Sequence, residues 1–260
     1  MGQGYEEAIS CEKADRYVVT AGTVEVWLIQ ADVPDPVIAD LETLLDDDER
    51  ARARAMLDPS HGRRFIARRG AVRVILGRRL GVPPESLRWR YGPNGKPELA
   101  GTATQVSISH SGSLAALALA ERRRIGVDLQ EIRPGLVATR MAMRFYPPAE
   151  ARFVLAGRGP AGQAGRFTRL WARKEACLKV TDGRLMAGLQ QAVLGAGPVG
   201  GDLAGTPLIR DFRVPAGFRG AVAAEGASPY RITRHWWPGQ NLATGRSHEI
   251  TNLDTTWRPA

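Results

Sequence analysis

Arg124–Ile132 reads RIGVDLQEI. Ile125, Val127 and Leu129 alternate with Gly126, Asp128 and Gln130, which predicts a β-strand with an aliphatic face and a face bearing one aspartate and one glutamine. The rise of a strand puts the Asp128 and Gln130 Cβ atoms roughly 6–7 Å apart on that face. Both side chains then reach a single Mg2+, an ion that takes oxygen ligands and keeps several waters. The same pair also suits an ordinary solvated strand face, and D-x-Q alone does not decide between the two.

The chain around this strand has the composition of a packed globular protein, 43% hydrophobic and 24% charged over 260 residues. Its longest apolar run, LAALALA from Leu114 to Ala120, is far short of the roughly 20 residues of a membrane span. The opening MGQGYEEAISCEKADRY has no apolar h-region, so no secretory signal is expected and a cytoplasmic location is. Two cysteines, Cys11 and Cys177, make neither a disulfide framework nor a zinc cluster. The net charge of +9 favours a polyanionic partner, and the preference for arginine over lysine suits phosphate, although coding bias gives the same excess.

Along the chain, Thr23–Ala31 predicts a first strand, after which Pro34 and Pro36 break the chain. DDDERARARAMLD places acids before bases, the order a helix dipole favours. GRRFIARRGAVRVILGRRLG predicts a second, strongly basic helix closed by Gly81. LRWRYGPNGKPEL is strand-like and then turn-rich. QVSISHSGSLAALALAERRRIGVDLQEI reads as three short strands broken at SHSGS and at ERRR. In the second half, Pro147 and Pro148 start a helix, GRFTRLWARKEACLKVTDG forms a longer one ending at Gly183, and strands follow around Leu208–Val214 and Tyr230–Trp236. Each half is helices plus a small, mostly antiparallel sheet, an α+β pattern. The halves are 1–122 and 123–237, and 238–260 is a polar peripheral tail.

In the longer helix Phe167, Leu170, Trp171, Cys177 and Leu178 form an apolar stripe. Lys174 falls inside it, where an unpaired ammonium is costly. Glu175 and Lys179 lie on its edge one turn apart, as a charged site or as an i,i+4 salt bridge. Ser107, Ser109 and His110 of SISHSG are expected at a strand end, either capping a turn or facing a ligand. The segment is no serine-hydrolase elbow, because G-x-S-x-G requires glycine where Ser109 stands. GAGPVG, Gly195–Gly200, is literally G-x-G-x-x-G but opens no helix, so it reads as a loop.

Taken in order, GKP, SISHSG, GVDLQ and LWARKEACLK resemble the Sfp-type 4'-phosphopantetheinyl transferases over Asp46 to Gly183. The resemblance implies two similar α/β halves in one chain, pseudodimeric, with the site between them. It also implies Mg2+-dependent transfer of phosphopantetheine from coenzyme A to a serine of an apo acyl or peptidyl carrier protein, releasing adenosine 3',5'-bisphosphate. On that basis Asp128 and Glu175 match metal-binding acids, and Glu175 is also the general base. Lys179 matches the lysine at the leaving phosphate. His110 and Ser109 match coenzyme A contacts, with Lys96, Arg64 and, more loosely, Arg50 at its phosphates. Glu150 resembles an acid that some members add near the metal. Gln130 departs from the more frequent D-x-E: as a neutral ligand it lowers metal affinity by about 1–2 kcal/mol. A monomer is expected, with no nucleic acid and no membrane as partner, and the carrier's route (fatty acid, polyketide or nonribosomal peptide) is left open. Two competing readings are an inactive carrier-binding homologue and a nucleic-acid-binding protein built on Arg50 to Arg79.

Overall fold

A computed structural model of the protein describes residues 22–133, 137–183, 188–195 and 207–237. Cys11, the tail from Pro238 and all of GAGPVG except Gly195 lie outside the described residues. Strand β1 (Thr23–Gln30) is followed by α1 (Asp35–Thr43), α2 (Asp47–Arg54) and α3 (Pro59–Leu80). Next come β2 (Trp89–Tyr91), β3 (Pro97–Leu99), β4 (Thr104–Ser111), β5 (Leu114–Glu121) and β6 (Ile125–Glu131). Then follow α4 (Ala138–Phe145), α5 (Pro148–Leu155), α6 (Gly159–Thr181), β7 (Leu208–Phe212), β8 (Phe218–Ala224) and β9 (Arg231–Trp237). Among the described residues no helix is long and apolar enough to cross a membrane.

The strands form a sheet ordered β4-β5-β1-β9, a sheet ordered β6-β8-β7, and the small β2-β3 hairpin. β9 runs parallel to β1, so a strand from late in the chain completes the sheet begun by the first one. Alternation along β1 decides the layering. Ile29 joins the core under α1–α3, while Val24, Val26 and Leu28 face Val127, Leu129 and Val222 of the other sheet. Ile209, Ala221 and Ala223, on the far side of that second sheet, pack under α4–α6. The mixed α+β protein therefore has four layers: helices, sheet, sheet, helices.

Three expectations are corrected. Pro34 and Pro36 do not merely break the chain. Pro34 is the N-cap residue of α1 and Pro36 sits in its first turn, where a missing N–H costs nothing. Helix α4 escaped the reading of the sequence, and so did β8, whose FRGAVAA is poor in β-branched residues although it is the central strand of its sheet. Finally, β4 does not end before SHSGS. It runs through Ser111, and the tight turn at Gly112 and Ser113 leads directly into β5.

The arginine-rich helix is basic in sequence but largely neutralised in place. Asp46 and Glu49 form a capping box at the start of α2. Glu49 then forms an ion pair with Arg69 at 3.0 Å and accepts Arg73 at 2.7 Å, and Asp46 accepts Arg73 at 2.5 Å. Arg73 is fully buried and also donates to the Pro84 and Leu87 carbonyls. These guanidinium groups bind α2 and the 84–87 turn to α3, and they are not available as a polyanion-binding surface.

β4 and β6 are edge strands of different sheets, and a row of serine hydroxyls joins them. The Val127, Leu129 and Glu131 N–H groups donate to Ser107, Ser109 and Ser111 Oγ at 3.0, 3.1 and 3.0 Å. Turn capping, one of the two alternatives for these serines, is thereby replaced by a seam between sheets. On its other face β6 meets α6 at Gly126, where an added Cβ would lie 1.9 Å from the Ala176 carbonyl oxygen and 2.9 Å from Lys179 Cβ. Gly126→Ala is therefore expected to push α6 off β6 and to lower stability by about 1–3 kcal/mol, read as a lower urea midpoint with an unchanged slope.

Candidate active site

Asp128 is not a solvent-facing strand residue: it is 2% exposed. The strand turns Asp128 toward α6, and the serine seam fixes it from β4. Its Oδ1 accepts the Ser109 hydroxyl at 2.7 Å and the Lys179 ammonium at 2.8 Å, and its Oδ2 accepts the Gln130 amide at 3.0 Å. Lys179 also donates to the Val127 carbonyl at 3.0 Å. The i,i+4 alternative for Glu175 and Lys179 is thus set aside, since Lys179 pairs across to the strand.

Glu175 stands one helical turn before Lys179, half-buried, with no hydrogen bond or ion pair to its carboxylate among the described residues. Burial pushes its pKa up, the nearby Asp128 pushes it further, and Lys179 offsets part of the shift. Two carboxylates from different elements, one lacking any cation, form a donor set suited to a divalent ion. Among the described residues no cluster of three His, Cys, Asp or Glu is present. The remaining ligands of such an ion would come from substrate and water.

Lys96 arrives on the β2–β3 turn, which Asn94 fastens to the end of α6. The Asn94 N–H donates to Asp182 Oδ2 at 3.2 Å, and the Asn94 amide donates to the Asp182 carbonyl. Lys96 Nζ donates to the Ile125 carbonyl at 3.0 Å, and burial together with Arg124 pulls its pKa down to about 8. Between this turn and α6 is a cavity of about 310 Å3, apolar at Pro97, Ile108 and Leu178 and charged at Lys96, Glu175 and Lys179.

His110 opens to solvent on the α3 side of β4. Desolvation by its surroundings, together with the cations Arg68 and Lys179, brings its pKa down to about 4, so the imidazole is neutral near pH 7. Arg68 was not singled out from the sequence. It is 8% exposed with no ion pair among the described residues, and burial beside Arg64 lowers its pKa to about 10. A buried arginine without an anion marks a place for one, but within a run of arginines nothing in the sequence distinguishes it.

The other expected residues lie apart from this group. Arg64 forms a two-point pair with Asp32, at 2.6 and 3.2 Å. Arg50 turns back onto its own end of α2, donating to the Leu45 carbonyl and pairing with Asp47 at 2.9 Å. Glu150 is no additional acid with a free carboxylate. It is 1% exposed, pairs with Lys174 at 2.6 Å and accepts the Val193 N–H. That pair answers the puzzle of a lysine in an apolar stripe. Lys174 also donates to the Gln191 carbonyl and lies 4.7 Å from the Tyr146 ring centroid, and Arg173 holds the Val193 and Leu194 carbonyls at 2.9 Å.

Because Glu175 is more easily protonated when folded, its charge costs stability above its raised pKa, and the cost is relieved as pH falls through that value. Glu175→Gln is expected to be more stable than wild type at pH 7. Urea unfolding should show the gap shrinking toward pH 4.

Residues 124–204 match the family profile described as the 4'-phosphopantetheinyl transferase superfamily. The chain is 38% identical over 174 residues to the 4'-phosphopantetheinyl transferase HetI of Nostoc sp., covering 65% of this chain and 73% of HetI. It is 34% identical over 172 residues to the putative 4'-phosphopantetheinyl transferase slr0495 of Synechocystis sp., covering 65% of this chain and 69% of the relative. Against the 4'-phosphopantetheinyl transferase AcpT of Salmonella typhi the identity is 38% over 114 residues, covering 44% and 57%. With Glu175 and Lys179 lining one cavity, Lys179 paired to Asp128, and two such transferases 34–38% identical and covered over 69–73% of their length, the chain belongs to the 4'-phosphopantetheinyl transferase superfamily.

Proposed function

We propose that the protein is an Sfp-type 4'-phosphopantetheinyl transferase that moves phosphopantetheine from coenzyme A to a serine of an apo acyl or peptidyl carrier protein, with Mg2+. The order of GKP, SISHSG, GVDLQ and LWARKEACLK supports the Sfp type. Two halves, 1–122 and 123–237, would carry the site at their seam, with β9 crossing back to β1. The reading rests above all on Glu175, whose carboxylate has no cation of its own while it faces Asp128 beside Lys179.

Asp128 and Glu175 would hold Mg2+, which when bound supplies charge neutralisation and orientation for a pyrophosphate. The residues of the chain have separate tasks. Glu175, its pKa raised by burial and by Asp128, takes the proton of the carrier serine hydroxyl, directly or through a water. The serine oxygen attacks the phosphorus next to the pantetheine arm, and the bond to the outgoing phosphate breaks. Lys179 neutralises charge on that phosphate as adenosine 3',5'-bisphosphate departs. Lys96 serves the pyrophosphate from the opposite wall of the cavity. The buried Arg68 and neutral His110 contact the nucleotide phosphate, with His110 acting as a hydrogen-bond partner and not as a cation, while Arg64 stays paired with Asp32. Ser109 acts on Asp128 more than on coenzyme A, since its hydroxyl both donates to the carboxylate and accepts the Leu129 N–H. Arg50 has no part, because its guanidinium is engaged at its own helix.

One chain supplies all these groups, which supports a monomer, and the reading places it in the cytoplasm with coenzyme A and the carrier as partners. Intact mass of an apo carrier protein after incubation with the enzyme, coenzyme A and Mg2+ tests it. The expected result is a gain of one phosphopantetheine, with the rate reduced at least about 100-fold in Glu175→Ala. Carriers from fatty acid, polyketide and nonribosomal peptide synthesis that all stay unmodified, while coenzyme A still binds, would point instead to an inactive carrier-binding homologue.

A further inference from the structure

Asp128 and Gln130 share one strand face, but the contact between them is not that of two ligands awaiting a third party. A carboxylate paired with an ammonium is ionised and can only accept hydrogen bonds. Gln130 must therefore present its NH2 group to Asp128 Oδ2, as it does at 3.0 Å. Its carbonyl oxygen, the atom a metal would need, is the other end of the amide. Meanwhile Asp128 Oδ1 already accepts both Ser109 and Lys179. Each carboxylate oxygen has about two acceptor directions, so Oδ1 is filled and Oδ2 keeps one direction open.

The carboxylate is fixed in place by the two donors on Oδ1. The third donor adds little to its orientation and occupies the oxygen left for a cation. We propose that Gln130 is a positioning residue that competes with the metal for Asp128 Oδ2, holding metal affinity below what the same site has without that donor. The inference rests on the reading that Asp128 and Glu175 hold the metal. It reverses the expectation that Gln130 is itself a weak ligand, for then its removal would lower affinity.

Binding of Mn2+ to the full chain saturated with coenzyme A, followed by loss of the free Mn2+ electron paramagnetic resonance signal, separates the possibilities. Gln130→Met keeps the length of the side chain and removes both amide groups, and Gln130→Leu serves as a second variant. Each is expected to bind Mn2+ at least about tenfold more tightly than wild type, the scale of losing one hydrogen bond to a charged group. Equal or weaker binding in both, with Asp128→Asn impaired, would overturn the competition while leaving the metal reading intact. Asp128→Asn binding as well as wild type would overturn the metal reading itself, and the competition with it.

Discussion

Strands β4 and β6 lie side by side at the edges of two different sheets, and what joins them is a row of three serine hydroxyls accepting three backbone N–H groups. Left unpaired and buried, each such N–H would cost about 1–3 kcal/mol. The serines satisfy them without merging the sheets into one. The middle serine adds a further function, because its own proton goes to Asp128. The seam that closes the fold thus aims the central carboxylate of the site. The rest of the site depends on that aim: Lys179 finds its partner there, and Glu175, its pKa raised first by burial, meets a like charge that raises it further.

Helix α6 is held to the same strand from the other side, and closeness is the governing constraint. Only a residue without a Cβ fits at Gly126, and this brings Lys179 within reach of the strand. Behind the helix, the buried Lys174–Glu150 pair and the Arg173 contacts fasten residues 191–194 to it. Buried ion pairs of this kind add little net stability over apolar packing, yet removing one partner is costly. They explain how a helix bearing two adjacent cations on its inner side can carry Glu175 at a fixed height above the strand.

Much of this could be read from the residues. Alternation in RIGVDLQEI gave the strand and the shared face of Asp128 and Gln130, and the helical period gave α6 with Glu175 and Lys179 one turn apart. Periodicity, however, says nothing about partners. Lys179 paired with Asp128 and not with its i,i+4 neighbour, and Lys174 found Glu150 from another helix. The basic run from Arg50 to Arg79 resembled a surface for polyanions. The acids that neutralise its inner face, Asp46 and Glu49, come into register only once α2 folds against α3. Strand β8 was missed because alanine and glycine carry little strand preference. Its place depends on what packs on it, as at Gly220, where the Phe212 ring leaves no room for a Cβ.

The central claim is that the serine seam positions Asp128 for catalysis and does not merely hold two sheets together. Turnover numbers and unfolding free energies of Ser109→Ala and Ser111→Ala test it most directly, since both serines accept a β6 N–H but only Ser109 donates to Asp128. The account predicts similar losses of stability, about 1–3 kcal/mol each. It also predicts a kcat lowered at least about tenfold in Ser109→Ala alone. Equal kcat values in the two variants would contradict it.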